Sequence, residues 1–228
     1  MKSKNALCGL MSGLLMLAAG TQAHAAVVTP GGLNAGDQFR IVFVTSGTHD
    51  GVSGTASDYD TFVTNSAVAA GLDTYNGLPV TWQLLGSTRT VDAISRLPAS
   101  SPALYRVDGA QVATSGTDFW DGTIANPINV AEDGTTLNVT VFTGTDPSGI
   151  RPHNASRYFT FGPTSQNNLY TGSSSATDLT WTAFGGGDKN ELHNVYAFSS
   201  IMVAVPEPAS ALSLAGTGLL LLSRRRRR

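Results

Sequence analysis

Apolar residues fall into three zones along the chain. Two continuous runs, residues 6–19 and 209–222, lie toward the ends, and between them a long body carries its apolar residues in short, separated groups. In the body, residues 39–45 read Phe-Arg-Ile-Val-Phe-Val-Thr, a nearly unbroken apolar run that predicts a strand central in a sheet. The period then changes. Tyr59, Phe62, Val63, Ser66 and Ala70 share one face at helical spacing, so residues 55–70 predict a helix that covers the sheet. Ser57 is its expected N-cap, Asp58 and Asp60 suit the first turn, and Gly71 supplies the stop. A second short helix is predicted over 91–97, ended by Pro98. Beyond Pro98 the pattern turns to strands. Residues 104–107 and 110–113 flank Asp108-Gly109, which predicts a hairpin with a type I′ turn. Residues 137–143 and 157–161 alternate as half-buried strands, and 194–203 reads as one long closing strand. No period of about 20 to 50 residues repeats, which leaves a solenoid or propeller unsupported.

The apolar runs toward the ends carry different punctuation. Before the first stand Lys2 and Lys4, and after it Ala23-His24-Ala25 forms a small-x-small site ahead of Ala26. That pattern describes a secretory signal peptide over residues 1–25, cut by signal peptidase. The second run is preceded by Val205, Pro206, Glu207 and Pro208 and followed by Ser223 and Arg224, Arg225, Arg226, Arg227 and Arg228. As a helix, its roughly fourteen residues would reach about 21 Å, short of the roughly 30 Å hydrocarbon core, so arginine stems must snorkel or the bilayer must thin. Five terminal arginines resist translocation and hold that end in the cytoplasm, with everything before Pro206 on the far side. A glycosylphosphatidylinositol signal would end apolar, which this chain does not. The alternative is an ordinary single-helix anchor, for which so short a run with Gly216 and Gly218 inside is poorly built.

Proline-glutamate-proline, a short apolar segment and terminal arginines in that order closely resemble the PEP-CTERM sorting signal of Gram-negative bacteria. The resemblance implies a tail at 205–228 held briefly in the inner membrane, read by an exosortase and cut near Pro206 to Pro208. The body would then pass to the cell surface or to extracellular polysaccharide.

Between the signals, residues 26–204 are of a size for one domain with a core of its own. The chain's one cysteine, Cys8, lies inside the signal, so the exported body folds without disulfides although its compartment would permit them. The body is acidic. Arg40, Arg89, Arg96, Arg106, Arg151, Arg157 and Lys189 face fifteen acids, a formal charge of about −8, whereas the whole chain is at −2. Nucleic acid and anionic lipid are excluded as electrostatic partners, because both need clustered Lys or Arg. Few charges and abundant Gly, Thr, Ser and Asn point to a loop-rich α+β domain of short antiparallel strands with one or two helices.

Several short pieces of the body occur in a recognisable order: Thr81-Trp82, residues 107–113, Asp118-Phe119-Trp120-Asp121-Gly122, Asn126-Pro127-Ile128, Phe142-Thr143-Gly144-Thr145, Trp181-Thr182 and Val195-Tyr196-Ala197-Phe198. Together, over residues 77–200, they resemble the endostatin-like branch of the C-type-lectin-like fold. Members of that family often carry late cysteines, where this chain has Ala197, and a tryptophan is commoner where Phe142 stands. Calcium-dependent sugar binding in true C-type lectins uses Glu-Pro-Asn or Gln-Pro-Asp followed by Trp-Asn-Asp, and this chain has neither motif.

The nearest approach to such a site is Asp118, Trp120 and Asp121, candidates for a ligand or a cation, against the commoner role of a tryptophan packed beside a turn. Calcium needs several converging oxygens, which Asp118, Asp121, Glu132, Asp133 and Asp146 would have to supply; acidic loops are more often simply solvated. Trp82, Trp120 and Trp181 divide between core filling, the more frequent role, and sugar stacking. No other cofactor is implied. His49, His153 and His193 are isolated in sequence, without a zinc-hydrolase motif, and Gly51-Val52-Ser53-Gly54 lacks the spacing of a nucleophile elbow. Asp50 beside His49 and Glu191 near His193 are acid-base candidates set against ordinary surface polarity. Gly185-Gly186-Gly187 reads as a flexible turn, since no phosphate-loop context surrounds it. The expectation is a non-enzymatic module associated with extracellular polysaccharide. The alternative is a secreted polysaccharide hydrolase using Asp118 and Asp121 as paired carboxylates.

Overall fold

The computed structural model describes residues 27–154, 157–163 and 167–205. Signal residues 1–25, Ala26 and the tail from Pro206 to Arg228, including its apolar run, lie outside the described residues. Among the described residues no helix is long and apolar enough to cross a membrane.

In chain order the strands are β1 (Gln38–Val44), β2 (Thr74–Tyr75), β3 (Leu78–Pro79), β4 (Trp82–Leu84), β5 (Ala103–Arg106), β6 (Gln111–Ala113), β7 (Thr140–Phe142), β8 (His153–Asn154), β9 (Arg157–Tyr158), β10 (Asn168–Ser173), β11 (Gly185–Asp188), β12 (Asn194–Ser199) and β13 (Met202–Val203). The helices are α1 (Ala56–Ala69), α2 (Ala93–Arg96) and α3 (Gly116–Phe119), with a 3-10 turn at Leu179–Trp181. The domain is therefore α+β and mostly sheet. The main sheet runs β11-β10-β7-β12-β1-β5-β6, with β13 also on β1 and β4 also on β12. The expected all-antiparallel pairing is corrected at two places: β1 pairs β5 in parallel, and β7 pairs β12 in parallel. A parallel neighbour needs a long crossover, and the chain between β1 and β5 supplies one that contains α1, the β2–β3 hairpin, β4 and α2.

β1 lies inside the sheet, as its apolar run predicts, and its side chains alternate between two cores. Phe39, Ile41 and Phe43 join Tyr59, Val63 and Ala67 of α1, while Val42 and Val44 join Phe119, Trp120, Trp181, Tyr196 and Phe198 on the other face. All six residues of β12 are buried for the same reason. Asp60 of α1 fastens helix to sheet: both its oxygens accept from Arg96 Nη2, at 2.5 and 2.6 Å, and one also accepts from the Leu84 amide at 2.8 Å.

Local expectations change in informative ways. Thr55, not Ser57, is the N-cap residue of α1, and it makes no side-chain cap bond; the Ser53 hydroxyl donates to Asp58 instead. Gly71, at φ +78°, provides the stop as expected. Asp108-Gly109 closes a three-residue loop instead of a type I′ turn: Arg106 N–H donates to Ala110 O at 2.9 Å, and Gly109 alone has positive φ, with a bulge following in the ladder. The two-residue turn sits elsewhere. Asn76 (φ +51°) and Gly77 (φ +76°) both lie in the left-handed region and join Tyr75 to Leu78, as type I′ geometry requires. The strand expected over 137–143 shortens to β7, because Leu137 N–H turns back to Asn129 O. That over 157–161 shortens to β9. The expected closing strand over 194–203 breaks into β12 and β13, with Ser200 N–H donating to Thr81 O between them. Gly185-Gly186-Gly187 is not a free turn: it forms edge strand β11, held in register by β10.

Candidate functional site

The acidic loops close on themselves. Asp118 Oδ2 accepts from the Thr114 amide at 2.6 Å and its hydroxyl at 2.9 Å, and Asp121 Oδ1 accepts from the Thr123 amide at 2.9 Å and its hydroxyl at 3.0 Å. Asp146 holds Ser148 and Ile150 in the same way, and Asp133 holds Thr135. The bond from the Thr135 hydroxyl, then that from its amide, keeps the Asp133 carboxyl below the ordinary carboxylate range. Glu132 is buried and accepts from the Ser46 amide and hydroxyl at 2.9 and 2.6 Å. The four aspartates thus serve their own turns, as short acidic side chains do, while Glu132 ties its loop to the distant Ser46. Among the described residues no three His, Cys, Asp or Glu side chains are grouped to hold a metal ion.

Trp120, between the two aspartates in sequence, points the other way. Its indole N–H donates to Leu97 O at 2.8 Å, and its ring packs against Phe119 and Trp181 with centroids 4.9 and 5.9 Å away. Trp82 donates to Leu72 O at 2.9 Å, and all three tryptophans are buried. Asp118 and Asp121 are therefore not joined with Trp120 in one exposed cradle.

Two histidines far apart in sequence do meet. His49 N–H donates to His193 O at 2.8 Å and His193 N–H to His49 O at 3.1 Å, where the chain after β1 runs beside the chain before β12. Each ring has its own carboxylate: His49 Nδ1 is 3.4 Å from Asp50, and His193 Nε2 is 3.3 Å from Glu191. His49 also packs on Tyr59 and Phe62, and His193 on Phe142. The rings are wedged against the core as much as they face solvent. His153 lies in β8, apart from this pair in the sheet order.

The open aromatic surface lies at the sheet edge instead. Phe184 is 64% exposed where β11 begins; among the described residues it is the one aromatic side chain with most of its surface in solvent. Beside it, Tyr170 of β10 stacks on Phe159, with centroids 5.4 Å apart and planes 34° from parallel. The cross-strand partner of Tyr170 is Gly186, which puts no side chain beside the Tyr170 ring. Sequence reasoning missed these residues. The available signal was Phe184 leading directly into three glycines, a strand with a ring at its start and no side chains after it.

The last site is the exit of the tail. β13 pairs with β1, and Ala204 exchanges backbone bonds with Asp37 and Gly36 at 2.8 and 2.9 Å, so the fold holds the chain up to the residue before Val205. Residues 204–228 match the model of the PEP-CTERM protein-sorting motif. The motif implies a protein that an exosortase processes and that is exported to the cell envelope or surface. No curated protein matches the chain.

Proposed function

We propose that this chain is an exported surface protein whose body is a non-catalytic module associated with extracellular polysaccharide. On this reading residues 1–25 direct secretion, 209–222 hold the precursor in the inner membrane of a Gram-negative cell, and exosortase cuts near Pro206 to Pro208. The body takes a C-type-lectin-like, endostatin-like arrangement. Support for that arrangement comes from the ordered short pieces over 77–200 and from an opening strand followed directly by a helix that covers it.

The observation that carries the binding role is the aromatic sheet edge formed by Phe184 and the Phe159–Tyr170 pair beside Gly186. Sugar rings present flat apolar C–H faces, and the exposed Phe184 ring, with the half-buried Phe159–Tyr170 pair next to a strand without side chains, offers a complementary surface. Asp118 and Asp121, committed to their own turns, are read as structural.

Processed protein from the host medium, passed over the host's own extracellular polysaccharide, tests the role. Retention is expected, and Phe184→Ala or Tyr170→Ala is expected to weaken it by up to about tenfold each, given about 0.5–1.5 kcal/mol for an aromatic stacking contact. Equal retention of both variants, or no retention of the unaltered protein, would overturn the reading. Release of shortened glycan, abolished by Asp118→Asn or Asp121→Asn, would replace it with a hydrolase.

A further inference from the structure

The described body begins and ends on one side. Near the first described residue, Thr29 Oγ1 lies 2.6 Å from the Tyr75 hydroxyl, and Tyr75 lines the same groove as Val205, the last described residue. This groove, of about 200 Å³, lies between the β2–β3 hairpin and β13. Its rim is apolar and open: Leu78 is 68% exposed, Val203 46%, Ile201 45% and Val205 38%. Exposed apolar side chains scattered singly need no explanation, whereas these four gather on one small groove at the end from which the tail departs.

The length of chain beyond the groove limits what can cover it. Four residue steps separate Val205 from Ala209, where the apolar run begins, and fully extended they reach about 14 Å. The headgroup layer takes up about 5 to 7 Å of that distance, and Pro206 and Pro208 leave little freedom to fold back. An apolar run too short for the hydrocarbon core draws its flanks toward the bilayer and shortens the leash further.

We propose that the groove between the β2–β3 hairpin and β13 is a membrane-docking face, on which the uncut precursor rests against the lipid interface. The proposal rests on the reading of 209–222 as a membrane-inserted tail. Lipid is the occupant because the leash leaves at most about 7 to 9 Å between this end of the body and the headgroup layer, less than the roughly 10 Å width of a helix. Contact is apolar, not electrostatic, since a body at about −8 is repelled by anionic headgroups. Cutting near Pro206 to Pro208 removes the leash, and a few apolar side chains alone do not hold a domain on a membrane. Cleavage then frees the same surface that the precursor concealed.

The test uses the tail-bearing precursor with its signal removed, in which an introduced cysteine is the sole thiol. Leu78→Cys, Ile201→Cys, Leu192→Cys and Ala215→Cys are each labelled with an environment-sensitive dye and reconstituted in phosphatidylcholine vesicles containing brominated lipid. Leu192, 65% exposed at the opposite end of β12, serves as the control. Quenching of the labels at 78, 201 and 215, with none at 192, is the expected result. Quenching at 215 with emission at 78 and 201 unchanged overturns the docking face and leaves the inserted tail standing. No quenching at 215 overturns the inserted tail and the docking face with it. Shielding at 78 that grows with protein concentration at fixed lipid assigns the groove to a second copy and also overturns the proposal.

Discussion

The two ends of β1 are built on opposite plans. At its start, beside β13 and the β2–β3 hairpin, the groove is apolar and the links between segments are mainly backbone pairings, with the Thr29–Tyr75 hydroxyl contact and the local Asn34–Asp37 turn beside them. At its finish, where His49 faces His193, the loops are tied by side chains: Glu132 to Ser46, and Asn194 Nδ2 to the carbonyls of Thr45, Ser46 and Gly47 at 2.6, 3.5 and 3.3 Å. Seven strand residues, roughly 23 Å, separate the two. The difference follows from what each end must satisfy. Wide loops at the finish bury polar backbone that needs partners, whereas the start is capped by a two-residue turn and keeps apolar side chains in the open.

The largest effects are expected at the polar end. In Gly51→Ala the new Cβ would lie 2.5 Å from Leu169 Cδ2 and 3.4 Å from the Lys189 backbone, and a loss of about 3 kcal/mol is expected in denaturant unfolding. Glu132→Ala leaves the Ser46 amide and hydroxyl without their acceptor and is expected to cost about 2 kcal/mol by the same measurement. Gly77→Ala at the apolar end meets nothing within 4 Å, so its cost is that of the left-handed backbone alone, about 1 kcal/mol. Equal losses for Gly51→Ala and Gly77→Ala would break the contrast between the two ends.

Acid sharpens the same contrast. Asp58 is held below its ordinary value first by the Ser53 hydroxyl and then by Thr55, Asp133 first by the Thr135 hydroxyl, and Asp188 first by the Asn190 amide. A depressed folded-state pKa means that the unfolded chain takes up protons first. The stability these groups contribute is therefore full above the ordinary value of 3.8 and is lost as pH falls below it. Hydrogen exchange at pH 3 against pH 6 is expected to show the loops around residues 46–58 and 188–193 opening while β13 stays protected. The smallest effect on stability is that of Leu78→Asp, within about 0.5 kcal/mol because the side chain is exposed. The same change is expected to abolish lipid quenching of a label at Ile201, which separates a docking face from a structural one.

Legibility differed from element to element. β1 and α1 were readable because each is long enough for its period to show, and burial of both faces of β1 follows from its nearly unbroken apolar run. The hairpin at Asp108-Gly109 was readable in place but not in turn type: the loop is three residues long, so only Gly109 takes the left-handed conformation. Asn76-Gly77 carries the stronger type I′ signal and joins strands of only two residues, too short to stand out as a pattern. The candidate ligands Asp118 and Asp121 were legible as acidic loop residues, but the hydrogen bonds that occupy them depend on how each turn closes. Phe184, Tyr170 and Phe159 gave no distinct signal, because exposure is a property of the packed sheet and not of a residue type.

The covalent order of the chain was enough to determine the sorting motif over residues 204–228, the acidic and cysteine-free composition of residues 26–204, and the existence of a central strand with a covering helix. These depend on composition or on short-range period, which packing does not alter. Only the tertiary structure decided that β5 pairs β1 and β7 pairs β12 in parallel, that His49 meets His193, that the tryptophans turn inward, and that Thr29 and Val205 both lie beside Tyr75. Each of those joins residues tens of positions apart. Such pairings are set by which buried faces can cover one another, and no local pattern records that choice.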